Sequence, residues 1–404
     1  MEAAPPIEPE AGTRIRRGTP AFFRAVLGLL AAGFSTYAVL YCTQPLLPLL
    51  AADFNVSPAA SSLSLSLATG TLAPAMLVAG PFSDARGRKG LMVVSLLGAA
   101  LLTLLCGRLA DWGAILVLRA VQGAVLAGVP AVAMAYVAEE IDPRAIGFAM
   151  GLYISGNALG GMSGRLVTGM VAELLSWRQA LMVTGLFAVA CALVLWRVLP
   201  PSRHFVPRPL RLATLPHHFA PPLRDPGLPW LYVLGFLLMG GFVTVYNYAP
   251  FRLLAPPYSL GQAAVGAIFA LYVLGMASSA VVGMLTTRVA YRHLMLGAIL
   301  LMLASLLLTL ATSLWLVIGG IALLTFGFFA AHSLASAWVG RRAGAGKGAA
   351  SALYLLAYYA GSSLMGSVGG LFWGSAGWAG LVGFTGLLVL AGLAASVPLW
   401  RLGE

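Results

Sequence analysis

The chain has 404 residues, of which 60% are hydrophobic and 9% are charged, and its mean hydropathy is +0.92. This composition excludes an ordinary soluble protein and predicts a chain that folds in a lipid bilayer. The formal net charge of +12 does not indicate nucleic-acid binding, because the basic residues are spread along the chain and form no contiguous patch interleaved with aromatic residues.

Twelve apolar runs follow one another, each of about 20 residues and long enough to cross a hydrocarbon core of roughly 30 Å. Backbone amides in lipid must be bonded within their own segment, and no short alternating pattern suggests a barrel, so the runs are predicted to be helices. The predicted fold class is therefore an all-α membrane protein with twelve transmembrane helices. The predicted spans are 22–48, 57–80, 90–108, 112–138, 146–172, 178–198, 230–252, 262–286, 293–311, 314–338, 349–373 and 379–399.

A polar, proline-rich segment separates the first six spans from the last six and is typical of a linker. The two halves repeat at an offset of 201 to 205 residues, so that Gly160 and Trp177 match Gly361 and Trp378. A duplicated six-helix unit is therefore predicted. The predicted domains are an N-terminal arm at 1–21, a six-helix bundle at 22–198, the linker at 199–229, a second six-helix bundle at 230–399 and a tail at 400–404.

The basic residues are distributed unequally between the two sides of the predicted membrane. Most of the 24 Lys and Arg residues fall in the terminal segments, the linker and every second loop, which is the positive-inside pattern. This asymmetry predicts that both termini lie in the cytoplasm. The first apolar run is too long for a signal peptide and lacks a small-residue cleavage site, so it is predicted to be retained as an anchor.

The segment GPFSDARGRKG, residues 80–90, collects four charged residues between the second and third spans. Its spacing resembles the GxLADRxGRKxxL motif of the major facilitator superfamily, and the resemblance extends over all twelve spans. It implies two six-helix bundles that rock around a site near the middle of the membrane. The residues that carry the motif are Gly80, Asp84, Gly87, Arg88 and Lys89.

Asp84 is the acidic residue of this motif. A carboxylate at the end of one helix can lie against the N-terminus of another, where unpaired amides favour an anion. The resemblance implies that Asp84 acts as a latch, meeting the start of the eleventh span near Lys347 and Gly348 in an outward-facing state. The alternative is that the basic residues of the segment only set the topology of the chain.

Four further segments resemble the YnfM-type inner-membrane transport proteins, namely LYCTQPLLPLL, GLYISGNALGGMSGRL, GFLLMGGFVTVYNY and GFFAAHSLASAWVG. This branch of the superfamily is placed among exporters of small molecules and dyes. The resemblance therefore implies efflux of a small organic molecule.

Three basic residues, Arg119, Arg165 and His332, lie well away from the ends of predicted spans, where an uncompensated charge costs several kcal/mol. Arg119 and Gln122 resemble the RxxQG motif of the superfamily, whose arginine is tied to proton coupling. The alternative is a structural arginine bonded to neighbouring carbonyls. Arg165 is predicted to face a cavity or gate, and His332 is a candidate for proton exchange or, alternatively, a hydrogen-bonded packing residue.

Gly156, Gly160 and Gly164 recur every four residues in the fifth span, a spacing that allows two helices to approach closely. The stripe corresponds to the antiporter motif of the superfamily, although Asn157 and Ala158 stand where the motif has its usual residues after the first glycine. Helix packing is the predicted role of these glycines.

Aromatic and amide side chains are predicted to line a cavity where spans 1, 4, 7 and 10 converge. No carboxylate falls in the middle of a predicted span, so the cavity is predicted to take a neutral or anionic substrate. No metal-ligand set is apparent, and no cofactor is predicted. The cavity candidates are Tyr37, Tyr41, Gln44, Gln122, Asn157, Asn247, Tyr248, Phe328, Tyr354 and Tyr358.

Together the residues and the resemblance predict a secondary active transporter of the bacterial inner membrane that works as a monomer by alternating access. Because no GxxxxGK[ST] phosphate loop is present, the proton gradient is the predicted energy source. The resemblance to the exporter branch and to the antiporter motif in the fifth span implies efflux by proton antiport. A proton-coupled or facilitative importer is the alternative. An intramembrane enzyme is a different class, and the lack of GxSxG and HExxH motifs argues against it.

Overall fold

The computed structural model describes residues 14–205, 207 and 215–402. Most of the predicted N-terminal arm, part of the predicted linker and the last two residues of the predicted tail lie outside the described residues. Within this part of the chain almost all regular structure is helical, and the single β-bridge, between Ile15 and Ile141, is isolated.

Twelve long helices run through the described residues, which confirms the predicted fold class. Ten helical segments are long and apolar enough to cross a membrane, and one of them consists of two helices joined at a kink. The remaining helix has 29 residues but is richer in glycine and polar residues. The helices are α1 (Pro20–Asp53), α2 (Pro58–Arg86), α3 (Arg88–Cys106), α4 (Trp112–Glu140), α5 (Ile146–Leu174), α6 (Trp177–Val198), α7 (Leu228–Leu254), α8 (Gln262–Leu285), α9 (Tyr291–Leu308), α10 (Leu314–Arg342), α11 (347–375) and α12 (378–402).

Side chains at four helix starts accept hydrogen bonds from amides that have no partner within the helix. The Thr19 hydroxyl caps α1 at 3.2 Å, and the Asp111 carboxylate caps α4 at 2.6 Å. Ser57 and Ser176 cap α2 and α6 in the same way. Local sequence therefore fixes where these helices begin, close to the predicted boundaries.

The charged segment at 80–90 is helical almost throughout, whereas the sequence predicts that the second span ends at residue 80. α2 continues to Arg86 and α3 begins at Arg88. Gly87 alone separates them, with a φ of 101° that favours glycine. Hydropathy counts charged residues as loop, but a helix extends beyond the apolar layer when its polar side chains reach the interface.

The glycines at 156, 160 and 164 of α5 all face α1. A Cβ atom added at these positions would lie 3.0, 2.0 and 2.6 Å from the backbone of α1. Gly361 in α11 has the matching relation to α7, where its Cβ would lie 2.0 Å from the carbonyl oxygen of Phe236. Equivalent helix pairs in the two halves therefore share one close backbone contact.

The linker is fastened at both ends to neighbouring helices. Lys89 and Tyr136 donate hydrogen bonds to its first carbonyls at 2.6 and 2.9 Å. At its end, Asp225 pairs with Arg342 at 2.5 Å and accepts two amides at the start of α7. Burial raises the pKa of Asp225, but the bond from Arg342 and the two amides outweigh it, so the pKa lies below its ordinary value. Asp225 is thus ionised at neutral pH and holds α10 to the start of α7.

The two halves touch on the side of the molecule opposite the linker, which we call the far side. The Ser363 hydroxyl of α11 donates to the Ser66 carbonyl of α2 at 2.6 Å. Glu173 at the end of α5 accepts the amide of Ala263 in α8, also at 2.6 Å. Helix pairs α2–α11 and α5–α8 therefore join the halves.

On the linker side, a cavity of about 400 Å³ lies between α2, α4 and α11. Gly80 of α2 and Met134 of α4 line one part of it, and Lys347 and Gly348 at the start of α11 line another. The halves are thus closed on the far side and separated on the linker side.

Candidate functional site

A second cavity, of about 230 Å³, lies between the halves, and we call it the central cavity. Its wall is formed by α1, α5, α7, α8, α10 and α11, and it is apolar and aromatic with a few polar groups, as ligand sites commonly are. Leu355 lines both this cavity and the linker-side cavity, so the two adjoin. The predicted site residues in the wall are Tyr37, Tyr41, Asn157, Arg165, Phe328, His332 and Tyr358.

Arg165 of α5 carries the positive charge of this wall and is only 2% exposed. Its Nε donates to Gln44 Oε1 at 2.6 Å, and its Nη1 donates to the Gly161 carbonyl at 2.7 Å. The guanidinium carbon lies 4.0 Å from the Tyr41 ring centroid and 4.9 Å from that of Tyr272. No carboxylate forms an ion pair with it among the described residues. Aromatic faces and neutral hydrogen-bond acceptors therefore stabilise the buried charge.

Gln44 and Asn247 do not line the cavity but join Arg165 to the other half of the molecule. Gln44 lies in the 3-10 turn that interrupts α1, and its Nε2 donates to Asn247 Oδ1 of α7 at 2.8 Å. Both side chains are fully buried, and Asn247 Nδ2 has no hydrogen-bond partner in the described part of the protein. A second polar bridge, between the hydroxyls of Tyr37 and Tyr359 at 3.0 Å, also joins the halves.

His332 of α10 lies in the cavity wall among aromatic rings. Its Nδ1 is 2.9 Å from the Tyr354 hydroxyl. Its ring stacks on Phe328 and lies 4.7 Å from the centroid of Tyr358. Tyr354 is a predicted cavity residue, but it does not line the cavity and contacts it only through its hydrogen bond with His332.

Arg119 and Gln122 of α4 lie within the first half and do not line the central cavity. Arg119 donates to the carbonyls of Ser64 and Leu40 at 2.6 Å each, to that of Val39 at 3.2 Å, and to Gln122. The first stretch of α1 ends at residue 41, so its last carbonyls lack partners within the helix. This geometry matches the structural alternative for Arg119, and its role in proton coupling stays a prediction.

The wall differs from the predicted meeting of helices 1, 4, 7 and 10. No lining residue comes from α4, because its polar side chains turn toward the break in α1, while α5, α8 and α11 each contribute. Tyr248 lies away from the cavity and donates to the Gly366 carbonyl at 3.1 Å. Phe242, Tyr272 and Phe329 line the wall without having been predicted, since an aromatic residue in an apolar run looks like any core residue.

Asp84 pairs with Arg88 at 2.5 Å, one helical turn further on across the Gly87 break. Arg88 also pairs with Glu139 at 2.6 Å, so the motif ties α2 and α3 to α4. In this state the Asp84 carboxylate is partly exposed, and Lys347 lies in the wall of the linker-side cavity.

Twelve long and mostly apolar helices in two repeated halves, closed on one side around a central cavity, define a multi-pass membrane transporter. The family model of the Major Facilitator Superfamily matches residues 29–277. The chain therefore belongs to the major facilitator superfamily.

The chain is 49% identical to the inner membrane transport protein YnfM of Escherichia coli (strain K12) over 387 residues, which cover 96% of this chain and 93% of YnfM. It is 46% identical over 381 residues to the uncharacterised MFS-type transporter YybF of Bacillus subtilis (strain 168), with 94% of each chain covered. These relatives confirm the predicted resemblance and indicate a membrane transporter rather than an enzyme.

The fold is similar to that of a bacterial homolog of the human lysosomal transporter Spinster, solved in an inward-facing and occupied conformation. The TM-score is 0.77, with 16% sequence identity and coverage of 95% of this chain and 97% of the other. This similarity supports the major facilitator fold.

Proposed function

We propose that the protein is a secondary active transporter, working as a monomer, that carries a small organic molecule across the inner membrane by alternating access and uses the proton gradient. The position of the central cavity carries this proposal, since it lies between the halves, is closed on the far side and adjoins the linker-side cavity. Rocking of two repeats around such a site exposes it to one side at a time. His332 in the wall supplies an imidazole, a side chain that can take up and release a proton.

We assign the linker side, with both termini, to the cytoplasm. Most Lys and Arg residues fall in the segments of this side, which is the pattern of cytoplasmic loops. With this orientation, the state described above faces inward.

Efflux in exchange for protons is the direction we assign, on the resemblance to exporters of small molecules. The glycine stripe of α5 supports it, because the stripe corresponds to the antiporter motif and packs closely on α1. The absence of a carboxylate from the described cavity wall favours a neutral or anionic substrate over a cation.

Import together with protons is a second candidate, and one observation favours it. Arg165 and His332 share the central cavity, and the lining residues include no acidic side chain. An anion bound near both residues stabilises the protonated imidazole. Binding of the anion therefore favours binding of the proton at the same time, as import together with protons requires, over binding of one after release of the other, as exchange requires.

Everted membrane vesicles from cells that overproduce the protein test the direction. Respiration acidifies the interior of such vesicles, so an exporter driven by proton exchange accumulates its substrate there. From a panel of neutral, anionic and cationic compounds, we expect uncoupler-sensitive accumulation of a neutral or anionic compound, and none with Arg165→Ala. Release on energisation would establish the import mode, and concentrative accumulation of a cation would contradict the assigned substrate charge.

Asp84→Asn is expected to weaken closure of the linker side. We propose that Asp84 leaves Arg88 and meets the start of α11, near Lys347, when this side closes, a charge–dipole contact worth about 0.5–2 kcal/mol. Labelling of a cysteine at Ser351, in the linker-side cavity wall, should then rise several-fold. Thr287→Asn, at the matching position of the second half, is the control and should leave the labelling unchanged. Equal labelling of Asp84→Asn and the parent protein contradicts the latch.

A further inference from the structure

We infer that the central cavity binds a small aromatic monocarboxylate, with its carboxylate on Arg165 and its ring among the aromatic side chains of the wall. This inference deepens the proposed function and rests on it, because it names the substrate class of the same cavity, and it holds for transport in either direction. Three features carry it, namely an unfilled donor on Arg165, the neutral side chain that positions Arg165, and the size and chemistry of the wall.

Arg165 has one nitrogen left for a ligand. Nε and Nη1 are bonded to Gln44 and to the Gly161 carbonyl, while Nη2 has no hydrogen-bond partner among the described residues. The residue is almost fully buried and lines the cavity. Nη2 is not among the fully buried unsatisfied atoms, so it is accessible from the cavity, where a carboxylate would supply both the acceptor and the opposite charge.

Gln44 is the positioning residue for this guanidinium. Its amide nitrogen is held by Asn247 at 2.8 Å, which directs its oxygen at Arg165 Nε, 2.6 Å away. Because an amide is neutral, Gln44 orients the arginine without compensating its charge. A glutamate at this position would fill the role of the ligand.

The wall suits a planar ring. Tyr41 and Tyr272 lie over the guanidinium, and Phe242 and Phe328 stack on each other with centroids 4.0 Å apart. Such rings pack well against an aromatic ligand. The volume of about 230 Å³ is below the roughly 300–1,000 Å³ of sites for drug-sized ligands, so a ligand with one ring is the appropriate size.

Equilibrium binding to the purified protein in detergent tests the inference with four near-isosteric probes. Benzoate is expected to bind, benzamide at least about 10-fold more weakly because it lacks the charge. Cyclohexanecarboxylate, which keeps the acid but not the ring, is expected to bind about 2- to 10-fold more weakly than benzoate. Benzamidine, the cation, is expected to show no saturable binding. Benzamidine binding as tightly as benzoate, or no saturable binding of benzoate, overturns the inference.

Gln44→Glu tests the positioning role, because it adds a carboxylate beside Arg165 and keeps the acceptor for Arg165 Nε. The donor that Gln44 offers to Asn247 Oδ1 is lost, but the Asn247 amide can turn so that its unpaired Nδ2 donates to the new carboxylate. Benzoate affinity should fall at least about 10-fold while benzamide affinity and the melting temperature are maintained. A purely structural role for Gln44 would leave the ratio of the two affinities unchanged, which overturns the assignment. Arg165→Lys should also weaken benzoate binding, since lysine lacks the planar fork. Arg178→Gln, at an exposed arginine paired with Asp53, is the control and should bind benzoate normally.

Binding in detergent requires neither a proton gradient nor turnover, so the two proposals fail separately. If benzoate does not bind but everted vesicles accumulate another compound, the substrate class is wrong and the transport function stands. If benzoate binds as described but energised vesicles move no compound, the substrate class is supported and the transport function fails.

Discussion

Arg119→Leu is expected to destabilise the folded protein by several kcal/mol, more than any other single change at a polar residue considered above. Arg119 is 1% exposed and donates to the carbonyls of Val39, Leu40 and Ser64. Leucine removes the donor from the Val39 and Leu40 carbonyls at the break in α1, where an unsatisfied buried acceptor costs about 1–3 kcal/mol, and removes one hydrogen bond from the Ser64 carbonyl inside α2. Lysine cannot replace it, because a compact ammonium group does not span three separate carbonyls.

The measurement for Arg119→Leu is the melting temperature and yield of the detergent-purified protein. Arg178→Leu serves as the control, since that arginine is 40% exposed and its ion pair at 2.9 Å contributes about 0–1 kcal/mol. A stable Arg119→Leu protein that binds substrate but moves no protons would contradict the structural role and establish the proton-coupling role implied by the RxxQG motif.

Gly160→Ala is the second change with a large expected effect, because it adds one methyl group where α5 crosses α1. The new Cβ atom would lie 2.0 Å from the Phe34 carbonyl oxygen, so the two helices must separate. Overpacking of this kind typically costs about 1–3 kcal/mol and occasionally more. Gly361→Ala should have a comparable effect in the second half, where the new Cβ atom would lie at the same 2.0 Å from α7.

Gly151→Ala is the matched control for Gly160→Ala, because it adds the same methyl group to the same helix. No atom lies within 4 Å of the Cβ position at Gly151. Alanine is the better helix former, so this variant should be neutral or slightly more stable, by up to about 1 kcal/mol. Equal melting temperatures for the two variants would show that α1 and α5 do not pack as closely as described.

Much of the fold is predictable from the sequence because the bilayer constrains it so strongly. An apolar run of about 20 residues in lipid has few options besides a helix, and caps such as Thr19 and Asp111 mark where helices start. The prediction that the second span ends at residue 80 is wrong, because hydropathy treats Asp84 and Arg86 as loop residues whereas α2 continues to Arg86. A helix can continue past the apolar layer when its charged side chains extend to the interface, and hydropathy alone does not show this.

The candidate site is only partly predictable. Arg165 and His332 are conspicuous, because a basic residue in an apolar run requires an explanation. The partners of Arg119 depend on where α1 breaks, which the pattern of residues does not reveal. The aromatic residues of the cavity wall are also not predictable, because Tyr272 and Phe242 lie in apolar runs and look in sequence like packing residues.

Proton movement through the purified protein tests the central claim most directly. Proteoliposomes loaded with benzoate and an internal pH dye are diluted into benzoate-free buffer, and the signal from Arg165→Ala proteoliposomes is subtracted because benzoic acid also crosses bilayers unaided. Proton exchange predicts that the interior becomes more acidic as benzoate leaves, and that His332→Ala abolishes this change. Benzoate that leaves through the protein without any proton movement would contradict the account, and an interior that becomes alkaline would establish import together with protons in place of efflux.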